Sequence, residues 1–99
     1  MKNAYVYIMA NKYRTTFYIG VTSNLAKRAA EHKQGTGSVF TKKYNVTDLV
    51  YYELIRGMKQ AIAREKELKR WHREWKINLI KSVNPQMKDV SETGLEWLA

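Results

Sequence analysis

Two segments near the start of the chain alternate cleanly between aliphatic and other side chains. In Asn3-Ala4-Tyr5-Val6-Tyr7-Ile8-Met9, Ala4, Val6 and Ile8 share one face and Tyr5, Tyr7 and Met9 the other, because successive strand side chains point to opposite sides. Phe17-Tyr18-Ile19-Gly20-Val21 sets Phe17, Ile19 and Val21 against Tyr18 and Gly20 in the same way. The polar stretch from Asn11 to Thr16 suits a hairpin loop between them. If the aliphatic faces turn toward one core, Tyr7 and Tyr18 emerge together on the opposite surface. A third strand is predicted over Leu49-Val50-Tyr51-Tyr52-Glu53-Leu54.

The remaining apolar positions follow helical spacing. Thr22-Ser23-Asn24 offers N-cap residues for a helix from about Leu25 to Gln34, and Gly35 is placed to end it. Arg28 and His32, four apart, share a face of that helix. Residues 35–47 read as a polar loop. Beyond Gly57 a basic helix is predicted over Lys59 to Trp71, with Ala61, Ile62 and Leu68 as its buried stripe. A last helix follows over Arg73 to Lys81, resting on Trp75, Leu79 and Ile80. The order β-β-α-β-α-α predicts an α+β (α/β-class) domain: a small three-stranded, mainly antiparallel sheet flanked by helices.

With 99 residues, the chain suits one domain with a modest core. It contains no cysteine, which excludes disulfide scaffolds, cysteine nucleophiles, zinc ribbons and iron–sulfur clusters. His32 and His72 match no local zinc spacing. The longest apolar run, Ala4 to Ala10, is too short to span a bilayer. The opening MKNAYVYIM does not read as a signal peptide, so a cytoplasmic location is expected, with no membrane partner.

Lys and Arg number 18 against 9 Asp and Glu, a net charge of +9. Such a field favours polyanions, nucleic acid before an anionic membrane. The charge is uneven: residues 1–84 hold 17 basic and 6 acidic groups, whereas 85–99 carry a net −2. With the break at Asn84-Pro85, residues 1–84 read as the folded module. Residues 85–99 read as a tail that Leu95, Trp97 and Leu98 could dock on it. The basic residues of the later helices, Lys59, Arg64, Lys69, Arg70 and Arg73, are the candidate nucleic-acid contacts.

Glu65 is the most informative single residue. It lies four after Ala61 and three before Leu68, within the apolar stripe. A carboxylate there must be paired, protonated or bound to a cation. Pairing with Arg64, Lys69 or a strand residue is the structural alternative to a functional role. Arg28 and His32 fit either a solvated helix face or a phosphate-directed site, to which the planar fork of Arg is suited. Gly20 inside a strand often marks a place where another backbone or a ligand approaches closely.

Taken together, these residues resemble the GIY-YIG nucleases. Tyr5-Val6-Tyr7, followed by Tyr18-Ile19-Gly20, is similar to that family's signature. The similarity continues through Val21-Thr22, Arg28 and His32 to Ala61, Glu65, Leu68-Lys69 and Asn84-Pro85, over about residues 3–89. Tyr5 stands where the signature has Gly, Val6 where it has Ile, and Met87 where small stand-alone members often have Trp. The resemblance implies the same three-stranded fold and a metal-dependent endonuclease acting on DNA, with RNA as a further possible substrate. It implies Glu65 as the sole protein carboxylate on Mg²⁺ or Mn²⁺, and Tyr7, helped by Tyr18, as acceptor of a proton from the attacking water. Arg28 would stabilise phosphoryl charge, His32 would bind phosphate or assist proton transfer, and Gly20 and Asn84 would support the site. For Tyr7 to act as a base, its basic surroundings would have to favour the phenolate. No helix-turn-helix, zinc-finger or basic-zipper pattern accompanies these residues. Cutting directed by DNA structure, or by a targeting protein partner, is therefore expected over cutting directed by sequence. A nucleic-acid-binding module that has lost catalysis is the alternative.

Overall fold

A computed structural model describes residues 3–91. β1 (Asn3–Ala10), β2 (Phe17–Thr22) and β3 (Asp48–Arg56) form one antiparallel sheet in the order β2-β1-β3. The helices are α1 (Leu25–Lys33), α2 (Val39–Lys43), α3 (Met58–Arg70) and α4 (Arg73–Val83). The element order matches the expectation with one addition: the five-residue α2 lies in the segment read as loop. Ser38 caps it by accepting the Thr41 backbone N–H at 3.1 Å.

β1 occupies the centre and is buried from Ala4 to Ala10, as befits a strand covered on both faces. On one face Ala4, Val6, Ile8 and Ala10 pack with Ile19 and Val50 against Ala61 and Leu68 of α3 and Ile80 of α4. On the other, Tyr5, Tyr7 and Met9 pack with Leu25 and Ala29 of α1 and with Val46 and Leu49. The tyrosine face expected to be open surface is therefore a second core, because α1 closes over it. Ile62 and Trp75, expected in buried stripes, are exposed instead; the neighbouring Leu68 and Ile80 take the contacts with the sheet.

The predicted tail begins inside the fold. Met87 joins the aliphatic core, and Val90 packs on the tyrosine side, its N–H reaching the Leu49 carbonyl at 2.8 Å. Asn84 is the latch. Its Nδ2 donates to the carbonyls of Val50 at 2.9 Å and Lys88 at 2.8 Å, and its Oδ1 accepts the Lys88 N–H at 3.1 Å. The charge break at Asn84-Pro85 is therefore not a break in packing. Leu95, Trp97 and Leu98 lie outside the described residues. Among the described residues no helix is long and apolar enough to cross a membrane.

Candidate active site

Register brings the two sequence motifs together. In the β1–β2 ladder Tyr7 faces Gly20 and Met9 faces Tyr18, so Tyr7 and Tyr18 are diagonal neighbours on one sheet face. Their ring centroids are 6.3 Å apart. The Tyr7 ring lies across Gly20, where a Cβ would come within 2.4 Å of the phenolic oxygen. The close approach at Gly20 is made by the Tyr7 side chain, and not by another backbone or a ligand as expected.

α1 supplies the third ring. His32 is 1% exposed, and its Nε2 lies 3.2 Å from the Tyr7 hydroxyl. Its Nδ1 lies 3.1 Å from Thr41 Oγ1, and the Thr41 hydroxyl donates to the Ser38 carbonyl at 3.2 Å. With the Thr41 proton directed to Ser38, whose Oγ is also 2.9 Å away, Thr41 is free to accept from Nδ1–H. His32 Nε2 is left as the acceptor for Tyr7, the tautomer being set by the second nitrogen's partner. Burial, then the nearby Arg28 charge, lower the His32 pKa, against a smaller opposing pull from Glu31. The imidazole is neutral near pH 7. Gly37 makes room for it: a Cβ there would lie 2.3 Å from Nδ1. Both ring nitrogens of the buried His32 are thus within hydrogen-bond reach of other side chains, Tyr7 and Thr41.

The Tyr7 phenol is pushed up to about 12, first by burial; Arg28 pulls it down, while Tyr18 and Glu65 add to the rise. The expectation that basic surroundings favour the phenolate is corrected here, because desolvation outweighs Arg28. Arg28 pairs with Glu31 at 3.1 Å, interacts with the Tyr7 hydroxyl and keeps its side chain 31% exposed. It opens onto a polar groove lined by Thr22, Ser23, Asn24 and Lys27. Burial works against its charge, but Tyr7 and Glu31 outweigh that and raise its pKa.

Glu65 approaches from α3, near enough to bear on the Tyr7 ionisation. Its side chain is 17% exposed, and Lys69 Nζ, on a side chain 54% exposed, stands 3.5 Å away. The pairing alternative raised from sequence is therefore present, in a loose and partly solvated form. Among the described residues no group of three or more His, Cys, Asp or Glu could hold a metal. A cation at Glu65 would have one protein carboxylate, a donor set that suits Mg²⁺ completed by water and phosphate oxygens.

The basic residues divide. Lys69 and Lys76 line a groove of about 280 Å³ beside Tyr18 and Phe40, and the Arg73 guanidinium lies 5.2 Å from the Phe17 ring centroid. Lys59 and Arg70 are exposed on α3. Arg64 has an intramolecular duty instead. It holds Glu53 through two bonds of 2.8 and 3.0 Å, pairs with Glu67 and stacks on Trp71. Burial opposes the Glu53 charge, yet Arg64 and Tyr51 hold its carboxyl below the usual range. Asn84 is the latch on β3, bonded to the Val50 carbonyl. Thr41, Ser38 and Gly37 were missed from sequence, although the Ser-x-x-Thr capping pattern after Gly37 was readable.

The family description "GIY-YIG catalytic domain" matches residues 3–78. The chain belongs to the GIY-YIG family. A UPF0213 protein of Clostridium perfringens is 37% identical over 92 residues, covering 93% of this chain and 92% of its own. A UPF0213 protein of Staphylococcus haemolyticus is 36% identical over 80 residues, 81% of this chain and 96% of its own. The fold resembles the solution NMR structure of a UPF0213 protein from Bacillus halodurans. That match has a TM-score of 0.56 and 25% identity, and covers 93% of this chain and 97% of the other. Tyr7, Tyr18, Gly20, Arg28, His32 and Glu65 all fall within the matched GIY-YIG span.

Proposed function

We propose that this protein is a metal-dependent endonuclease that hydrolyses DNA phosphodiester bonds and selects its substrate by structure rather than sequence. The observation that carries the reading is the convergence of β1, α1 and α3: the Tyr7 hydroxyl lies 3.2 Å from a neutral His32, beside Arg28 and within the influence of Glu65. Membership of a nuclease-type family supports the reaction class. A divalent cation held at Glu65 would polarise the phosphoryl group and stabilise the leaving oxygen.

The chain's own residues handle the proton. Tyr7 takes a proton from the attacking water while its own moves to His32 Nε2, so no free phenolate need accumulate. Arg28 offers N–H donors to the phosphoryl oxygens as their charge grows, where an aimed donor is most effective. Tyr18 walls the site and packs against both Tyr7 and His32. A net charge of +9 draws DNA without reading its bases.

Nicking of a supercoiled plasmid tests the reading. Relaxed product with Mg²⁺ or Mn²⁺, and none with EDTA, is expected. Binding without cleavage under every metal condition would instead favour a module that has lost catalysis.

A further inference from the structure

The active-site rings do not stop at Tyr18. The Tyr18 centroid is 6.0 Å from Phe40, and Phe40 is 4.8 Å from Tyr44, so a row of aromatics runs from the buried His32 out onto α2. Phe40 is 41% and Tyr44 44% exposed, and neither is needed to fill either core. Positive charge follows the row. Lys43 lies over Tyr44 at 5.4 Å, and Lys69 and Lys76 line the groove that Phe40 shares with Tyr18.

Exposed flat rings flanked by lysines, leading away from a phosphate-directed site, suit unpaired nucleobases. Every base has a face to stack, while the backbone needs only charge. Stacked bases of a duplex have no free face to offer. We propose that Phe40 and Tyr44 form a stacking platform that holds an unpaired nucleotide next to the scissile phosphate, making single-stranded segments the preferred substrate. This rests on the nuclease reading and adds the feature that chooses the DNA. Thr41 links the platform to the chemistry: the five-residue helix that presents Phe40 also fixes His32.

The test separates binding from cleavage. Affinities of the full chain would be measured by fluorescence anisotropy in EDTA for oligothymidylate, an abasic strand of equal length and a duplex. The proteins compared are wild type, Phe40→Ala, Tyr44→Ala and Phe40→Leu, each checked by thermal melting. Wild type should bind oligothymidylate more tightly than the abasic strand. Phe40→Ala should weaken oligothymidylate binding by roughly 5- to 150-fold, the range given by loss of one base–aromatic stack, and close the gap to the abasic strand. Phe40→Leu, which keeps bulk but not a flat ring, should behave like Phe40→Ala. If Phe40→Ala fails to fold, Phe40→Leu and Tyr44→Ala give the same readout. Equal affinity of wild type for the oligothymidylate and abasic strands overturns the platform, as does wild-type binding by the folded variants. Because these measurements need no metal, a platform that binds as expected in a protein that never nicks DNA would sink the nuclease reading alone.

Discussion

Burial holds the Tyr7 phenol up at about 12 and keeps His32 neutral near pH 7, and the proposed proton path rests on these two shifts. If the tyrosine acted as a free phenolate, the rate would climb about tenfold per pH unit far into the alkaline range. If Tyr7 only passes the proton to His32, the limiting event is protonation of the imidazole. Its pKa is lowered from an ordinary value of about 6.5, so the acid limb of kcat/KM should lie below that, followed by a plateau from about pH 7 to 9. A pH–rate profile at saturating Mg²⁺ checks this, and a continued first-order rise above pH 8 would contradict the relay. Stability should share the acid limb. The unfolded imidazole takes up a proton as pH falls below about 6.5 while the native one resists, so native stability declines from there toward the lower folded pKa. Glu53 and Asp89, both held low in the fold, lose their contribution separately, in the more acidic carboxylate range.

At the scale of elements, α2 is the piece that holds His32 in place, through Thr41. Thr41→Val removes the acceptor of His32 Nδ1–H at nearly constant volume and frees the imidazole to change tautomer. The expected result is a stability loss of about 1–3 kcal/mol, the cost of a buried unpaired donor, and a lower single-turnover rate with DNA affinity unchanged. Urea unfolding and cleavage on the same preparation check it. A full-rate variant would show that the tautomer does not matter. This element was also the least legible. A five-residue helix carries too little periodicity to stand out, and Lys42-Lys43 beside Thr41 read as solvated loop. The strands, by contrast, were plain from alternation, and α1 from Asn24, whose side chain accepts the Lys27 N–H as a cap should. Alternation misleads where a strand is covered twice: the tyrosines of β1 looked like a surface face and are instead packed beneath α1. The identities of Tyr7, Arg28, His32 and Glu65 were visible in the sequence; that burial would raise Tyr7 was not, since desolvation depends on what covers a ring.

For the molecule as a whole, charge and site make separable demands. The net charge of +9 predicts sequence-tolerant binding whose log K falls with log salt by about 0.9 per duplex phosphate contact. Titrations on unrelated sequences should give parallel lines, and a strong preference for one sequence would contradict a field-driven mode. Glu65 tests the chemistry itself. Its only ion-pair partner among the described residues, Lys69, is half exposed at 3.5 Å. Glu65→Gln should therefore change stability by no more than about 1 kcal/mol, the scale of a solvated pair. The deciding measurement is single-turnover cleavage by this variant across a Mg²⁺ titration, with its unfolding free energy determined alongside. A protein as stable as wild type that does not cleave at any metal concentration is expected. Cleavage at the wild-type rate, or a loss of about 3–5 kcal/mol such as follows a broken buried pair, would move Glu65 from the active site to the scaffold.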